Sequence, residues 1–305
     1  MTFAALDDWT GDTSAFLAHH WRKAPHVYRT SPVPPITLED IDAAVRNPLL
    51  RTPYVVMVKD GNTLADAHYT ATRTVDGTVL PGFADPSAIV ERVREGCTLL
   101  LRNAEHWHPG IAALAHRWQA ALGRAVEGFV FVTPPGSQGL AVHRDDADVL
   151  LLQISGSKQW AIHDGPSGEK WKPGAVPDPG PPLLRRSITR GDVLYIPRGF
   201  AHSALGGDQG LSVHLSMTVR EVNVQDLYTA LQRLMLSEFS SSGRPLDDAA
   251  LLDHTGRLMR QMRSSLDGLD PQDVLSAARR ARLRPDALPP SQGLAALAKE
   301  IGPPS

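Results

Sequence analysis

Across residues 126–219 the chain is a succession of short apolar runs cut by glycine, proline and aspartate, and no other feature constrains its fold so tightly. The runs are residues 129–132, 149–154, 193–196 and 211–219. Several short strands at such spacing, separated by turn residues, predict a β-sandwich or barrel. The proline-rich stretch 172–182 reads as a long surface loop between them.

The flanking segments carry helical signals. Residues 12–47 read as two short helices with a loop between them. Asp12 caps a segment bearing Phe16, Leu17 and Trp21, and Thr37 with Asp40 resembles a capping box ahead of Ile41 and Val45. Pro25 and the Ser-Pro-Val-Pro-Pro run at 31–35 keep the intervening chain out of a helix. Residues 54–58 predict a strand stopped by Asp60-Gly61, Asp85-Pro86 opens a helix, and residues 98–101 predict a second strand. Ile111, Leu114, Ala115, Trp118 and Leu122 fall at helical spacing, with Gly123 as the C-terminal cap. After Arg220, Leu227, Leu231, Leu234 and Met235 form one apolar stripe. Leu251, Leu258, Met259 and Met262 form another, and Asp270-Pro271 starts a third helix. The tail, residues 285–305, reads as partly disordered.

Composition narrows the function classes. A formal net charge of -2 gives no global electrostatic reason to expect nucleic acid or a membrane as the main partner. Cys97 is the only cysteine, which excludes an internal disulfide and reads as a small buried hydrophobe. Met1 to Gly11 lacks the basic and apolar regions of a signal peptide, and no apolar run is long enough to span a bilayer. The expected setting is cytoplasmic and reducing.

Chemistry concentrates in three places. In His143-Arg144-Asp145, positions i and i+2 of a strand point to one face, so imidazole and carboxylate can converge on one metal. Alone this triplet is equally a solvated polar stretch. The segment Gly191-Asp192-Val193-Leu194-Tyr195-Ile196-Pro197-Arg198-Gly199-Phe200-Ala201-His202 is sharper: a turn, a buried strand, a tight stop, and a histidine delivered beside that strand. Two imidazoles and one carboxylate make the facial triad of non-haem ferrous iron, with open positions left for substrate and oxygen. Lys158 follows the turn Ser155-Gly156-Ser157 inside an otherwise apolar run. A lysine entering a barrel there needs an anionic partner, because an unpaired buried ammonium is costly. A co-substrate carboxylate would supply it; a surface lysine at a strand start is the alternative. His106-Trp107-His108 reads as a loop ahead of a helix, since no pattern places a further ligand near it. The arginines at 279, 280, 282 and 284 read as a solvated helix end, with contact to RNA or an acidic peptide the alternative.

Thr133-Pro134-Pro135-Gly136-Ser137-Gln138-Gly139, followed by His143-x-Asp145 and then Gln153, Gly156, Lys158 and Trp160, resembles the JmjC-type cupin-4 oxygenases, which include the ribosomal oxygenases. Residues 191–202 match the second cupin motif of that family without a gap. Phe16-Leu17-x-x-x-Trp21-x-x-x-Pro25 is similar to its opening helix. The resemblance runs from residue 12 to about residue 235. It implies an α+β protein with a mainly β core, a double-stranded β-helix over residues 126–220. N-terminal α/β elements (1–125) would pack on it, and a C-terminal helical region (221–305) would form a homodimer. It further implies Fe(II) on His143, Asp145 and His202, with 2-oxoglutarate as co-substrate and O2 as oxidant. Lys158 would grip the distal carboxylate of 2-oxoglutarate, a hydroxyl from Thr133 or Ser212 would assist, and His214 would line the pocket or simply pack in the barrel. The implied substrate is an amino-acid side chain in a protein or peptide; a peptide natural product or free amino acid would use the same core. Two departures stand out. Phe129 and Phe131 occupy positions where eukaryotic relatives tend to have Asn and Tyr, and the residues after Arg220 leave a full winged helix in doubt. Cupin barrels also serve as metal-dependent isomerases and as non-catalytic binding or regulatory modules, neither of which requires a buried cation like Lys158.

Overall fold

The central sheet is buried on both faces, and this is why its strands read as nearly continuous apolar runs rather than an alternation. The computed structural model describes residues 6–168, 170–236, 247–283 and 294–301. The chain opens with α1 (Asp7–Thr10), α2 (Thr13–His19), β1 (His26–Tyr28) and α3 (Leu38–Arg46). Then come β2 (Val55–Lys59), β3 (Asn62–Thr63), the hairpin β4 (Thr70–Val75) and β5 (Thr78–Ala84), α4 (Pro86–Arg94), β6 (Thr98–Leu101) and α5 (Pro109–Leu122). The caps are those read from sequence. Asp12 accepts from the Ala15 N–H, Thr37 and Asp40 form a capping box, and Gly123 closes α5 at φ 63°, a left-handed conformation suited to glycine.

The second half supplies β7 (Ala125–Thr133), β8 (His143–Arg144), β9 (Asp148–Ser155), β10 (Ser157–His163), β11 (Gly174–Ala175) and β12 (Pro182–Thr189). It continues with β13 (Val193–Ile196), β14 (Ala201–Gly206), β15 (Ser212–Arg220), α6 (Val224–Leu236), α7 (Asp248–Asp267), α8 (Pro271–Arg282) and α9 (Leu294–Glu300). The larger sheet has the order β1-β13-β9-β15-β7-β6-β2-β3 and the smaller β11-β8-β14-β10-β12. Together they make the double-stranded β-helix, and the larger sheet takes β1, β2, β3 and β6 from chain before residue 125.

Side-chain alternation divides the larger sheet cleanly. Val213, Leu215, Met217 and Val219 of β15, with Val126, Val130 and Val132 of β7, face a core shared with Phe16, Ile111, Leu114 and Trp118 of the helices. The opposite face turns His214, Ser216 and Thr218 inward, beside Phe131, Phe129 and Glu127 in register on β7. Where sheet and helices come closest, Gly128 leaves no room for a side chain: a Cβ there would sit 2.7 Å from Ile111.

Some elements were not expected. The loop at 172–182 carries β11, two residues that pair with β8. The hairpin β4–β5 and the strand β12 are largely exposed, so they lack an apolar signature. The arginine cluster is not a free helix end: Arg279 and Arg282 turn back onto Glu221 and Asp226, while Arg284 lies outside the described residues. Most of the tail expected to be disordered is also outside them, and α9 is the described part. Cys97 is buried, as expected. Among the described residues no helix is long and apolar enough to cross a membrane.

Candidate active site

The metal-ligand candidates are brought together by the smaller sheet. His143 on β8 and His202 on β14 are direct partners across the antiparallel pair, and Asp145 follows β8 immediately. His143 Nε2 lies 3.6 Å from Asp145 Oδ1, and His202 Nε2 lies 3.6 Å from Asp145 Oδ2. One ligand atom from each residue fits within 4.8 Å of the other two, the only such group of three among the described residues. Each imidazole is aimed from behind: His143 Nδ1 lies 2.8 Å from the Ala141 carbonyl and His202 Nδ1 3.1 Å from the Phe200 carbonyl. With Nδ1–H donating to those carbonyls, the Nε2 lone pairs face Asp145, the tautomer a divalent metal requires. Burial, with His143 alongside, pushes His202 down to about 4, so it stands neutral at physiological pH.

The turn before β14 fixes this arrangement. The Gly199 N–H donates to the Asp145 carbonyl at 3.0 Å, and Arg144 donates to the carbonyls of Gly199 and Asp164. Gly199 adopts φ 83°, and a Cβ there would meet Pro166 at 3.1 Å. The Pro-x-Gly of the sequence motif is therefore what brings the second histidine opposite the first.

These residues open onto a cavity of about 450 Å³ inside the barrel. Its closed end is formed by Thr98, Phe131, Lys158, Trp160 and His214. Lys158 is only 3 % exposed, and its Nζ donates to Thr133 Oγ1 at 2.9 Å; among the described residues no carboxylate pairs with it. Burial alone pushes its ammonium from 10.5 down to about 7. The rings of Phe131 and Trp160 lie 5.7 and 5.8 Å from Nζ, close enough for cation–π attraction. His214 stacks on Phe131 at 4.7 Å, and burial beside Lys158 holds it neutral, well below its ordinary value. Two buried donors or acceptors at this end, Trp160 Nε1 and His214 Nδ1, have no hydrogen-bond partner among the described residues. Buried polar atoms are rarely left unpaired, so this end is built to receive a polar, anionic ligand. At the open end stand Arg102, Asn103, Glu127, Thr218 and Arg220, with the Arg220 guanidinium donating to Glu127 at 2.9 Å.

His143, Asp145, His202, Lys158 and His214 thus share one cavity. Thr133 and Ser212 do not line it: Thr133 lies behind Lys158, and the Ser212 hydroxyl accepts from Gln153 Nε2 at 2.9 Å. Thr98, absent from the sequence reading, is on the wall. Its one signal was a polar residue heading the otherwise apolar run Thr98-Leu99-Leu100-Leu101. Among the described residues, His106 and His108 belong to no group of three candidate metal ligands. The first bonds the Tyr54 hydroxyl, and the second caps α5.

Fold and site together define a double-stranded β-helix protein with a two-histidine, one-carboxylate centre. Residues 109–227 match the family described as the JmjC domain. The chain is 33% identical over 166 residues to ribosomal oxygenase 1 of Rattus norvegicus, an alignment covering 51% of this chain and 28% of that one. It is 29% identical over 143 residues to the bifunctional lysine-specific demethylase and histidyl-hydroxylase NO66 of Dictyostelium discoideum, covering 45% and 28%. The chain therefore spans little more than a quarter of these relatives. The X-ray structure of Escherichia coli ycfD superposes with a TM-score of 0.59 at 20% identity, covering 86% of this chain and 69% of that one. A structure of the E. coli ribosomal oxygenase YcfD in complex with cobalt and 2-oxoglutarate superposes with a TM-score of 0.54, at 20% identity, over 85% and 67%. Both share the fold.

Proposed function

We propose that this chain is an Fe(II)- and 2-oxoglutarate-dependent oxygenase that hydroxylates an amino-acid side chain in a protein or peptide. The observation carrying the proposal is the buried, carboxylate-free Lys158 at the closed end of the cavity whose middle holds the His143–Asp145–His202 triad. A metal-dependent isomerase or a binding module does not require a cation so placed, whereas a dicarboxylate reaching from the metal to Lys158 does. The relatives named ribosomal oxygenase and histidyl-hydroxylase support a protein substrate.

In this reading His143, Asp145 and His202 hold Fe(II). Lys158 binds the distal carboxylate of 2-oxoglutarate, Thr133 holds Lys158, and His214 and Phe131 wall the pocket. Iron, 2-oxoglutarate and O2, when bound, would supply the oxidising chemistry, giving one oxygen atom to the substrate carbon and the other to succinate with release of CO2. The protein contributes ligation, orientation and a dry enclosure. The substrate side chain enters past Glu127, Thr218 and Arg220. Residues 1–125, 126–220 and 221–305 serve as packing layer, barrel and helical region in a cytoplasmic protein whose main partner is not nucleic acid.

The helical region carries a homodimer interface in the same proposal. Leu251, Leu252, Met259 and Leu266 are at least half exposed on α7, which buries no residue of its own in the single chain. Sedimentation at micromolar concentration should give twice the chain mass; a monomer would assign the α6 stripe to intramolecular packing alone.

Anaerobic Fe(II)-loaded protein should bind 2-oxoglutarate and, on addition of O2, form succinate. Mass spectrometry of cell proteins with and without the enzyme should then find a mark of one added oxygen atom. Failure to bind 2-oxoglutarate would leave the isomerase or binding-module reading.

A further inference from the structure

We infer that Arg22 is a positioning residue for the metal centre: with Tyr195 it closes a hydrogen-bonded ring on the buried carboxylate of Asp148, and that ring sets where the Asp145 backbone stands. The inference rests on the reading of His143, Asp145 and His202 as metal ligands.

The three ligand candidates are held unequally. Each imidazole is aimed by a bond from its Nδ1 to a backbone carbonyl. The Asp145 side chain is 40 % exposed, and among the described residues no hydrogen bond holds its carboxylate, which only faces the two imidazoles at 3.6 Å. Its position is therefore a matter of backbone. That backbone lies in the short link from β8 into β9, and two consecutive N–H groups tie the link to the turn that delivers His202. The Gly199 N–H donates to the Asp145 carbonyl at 3.0 Å, and the Arg198 N–H donates to Asp148 Oδ1 at 3.2 Å.

Asp148 is fully buried, so it can serve as an anchor only if its charge is met. The Tyr195 hydroxyl donates to Oδ1 at 2.7 Å, and the Arg22 Nε–H donates to Oδ2 at 3.2 Å. The ring closes because the Arg22 backbone N–H donates to the Tyr195 oxygen at 2.7 Å. Tyr195 thus accepts once and donates once, and burial beside Asp148 keeps its proton in place. In presenting both N–H groups, Arg22 adopts φ 58°, a left-handed conformation that favours glycine. Such strain persists where the surroundings over-determine it, and Trp21, stacked on the Tyr195 ring at 6.0 Å, is part of those surroundings. Arg22 lies well before residues 109–227, so a segment outside the matched region steadies the metal site.

The test is Co(II) binding to the full chain, followed by calorimetry and by the visible spectrum of the ion, which reports the geometry of its ligands. Arg22→Gln removes the charge. Tyr195→Phe removes only the hydroxyl and carries the test should the first variant fail to fold. Each should bind Co(II) about tenfold more weakly, at the low end for residues that act on ligands from behind, with an altered spectrum. Glu221→Gln breaks a different ion pair of Arg22, at Nη2, and leaves the ring whole. It should lower the melting temperature while keeping wild-type Co(II) affinity and spectrum, which separates positioning from stability. Wild-type protein that takes up no Co(II) would overturn the metal-centre reading itself. With wild-type binding intact, an unchanged affinity and spectrum in folded Arg22→Gln or Tyr195→Phe would overturn the role of the ring, as would equal weakening in Glu221→Gln.

Discussion

His143 and His202 are directly paired residues on neighbouring antiparallel strands, with ring centroids 4.3 Å apart. Cross-strand partners of this kind are held at a fixed separation by the ladder itself, so the spacing of the two imidazoles is a property of the sheet and not of flexible loops.

Removal of any one of the three ligand candidates should therefore abolish metal binding and leave the barrel standing. For His143→Ala, Asp145→Ala and His202→Ala, Fe(II) or Mn(II) affinity should fall by more than the roughly 10–100-fold that losing a ligand-orienting neighbour costs. Calorimetry for the metal and circular dichroism for the fold check both halves. A variant that keeps wild-type affinity is not a ligand.

Lys158→Ala should lower 2-oxoglutarate affinity about tenfold to a hundredfold, with metal affinity retained, because a charge-assisted contact in a dry site is lost. Lys158→Arg should keep part of it, since the charge remains while the shape changes. An unchanged affinity in Lys158→Ala would remove Lys158 as anchor.

The same lysine sets a pH dependence. Its folded value is depressed to about 7 from 10.5, so between those values the unfolded chain holds a proton the folded chain has lost. The ligand-free protein should gain stability as pH rises from about 7 toward 10.5, and Lys158→Met should remove that slope. Pairing with a carboxylate should restore the ammonium. Binding of 2-oxoglutarate at pH 8 should therefore take up a proton, seen as a calorimetric heat that varies with the ionisation enthalpy of the buffer.

Glu221 collects arginines from distant parts of the chain: Arg22 after α2, Arg124 before β7 and Arg279 on α8 all donate to it. Burial pulls its carboxyl up, but hydrogen bonds from Arg279, the Val222 N–H and Arg124 outweigh this and hold it well below the usual carboxylate range. Its contribution is thus complete above its ordinary value of 4.5 and is lost as pH falls below that. Glu221→Gln should destabilise by about 3 kcal/mol, because three partly buried guanidinium groups lose their counter-charge. Thermal melts at neutral pH check the magnitude, and melts near pH 3 should show a smaller difference between variant and wild type, the loss completing only below the depressed folded value.

Gly206 ends β14 against the proline loop, where a Cβ would lie 2.0 Å from the Pro134 carbonyl oxygen. The obstacle is backbone, so Gly206→Ala should displace the loop or the strand and lower the melting temperature by several degrees. Gly210→Ala is the control: nothing stands within 4 Å of a Cβ there, although φ is 81°.

What the sequence disclosed follows from where its patterns are enforced. The triad was legible because the strand period and the Pro-x-Gly stop fix it locally. Residues 193–196 emerged as β13 without adjustment because both of its faces are buried. The surroundings of Lys158 were less legible: Thr133 bonds its Nζ, but neither Thr133 nor Ser212 lines the cavity. Thr133 and Ser212 are partners in register on adjacent strands, and only the packing of β6 alongside decides which threonine reaches the cavity. The arginines of α8 looked solvent-facing because their counter-charge, Glu221, is remote in sequence. Exposed strands such as β4 and β12 left no apolar trace.

One pairing governs when this protein can become itself during synthesis. β1, residues His26–Tyr28, has as its strand partner β13, and Tyr28 lies opposite Val193. Loop closure over so long a separation must precede any gain from that contact. A growing chain on the ribosome therefore carries an unfinished sheet edge until β13 has left the exit tunnel. Through that interval β1 stands without its neighbour, β7 and β9 wait longer still for β15 between them, and the nascent barrel should rank among the clients of chaperones.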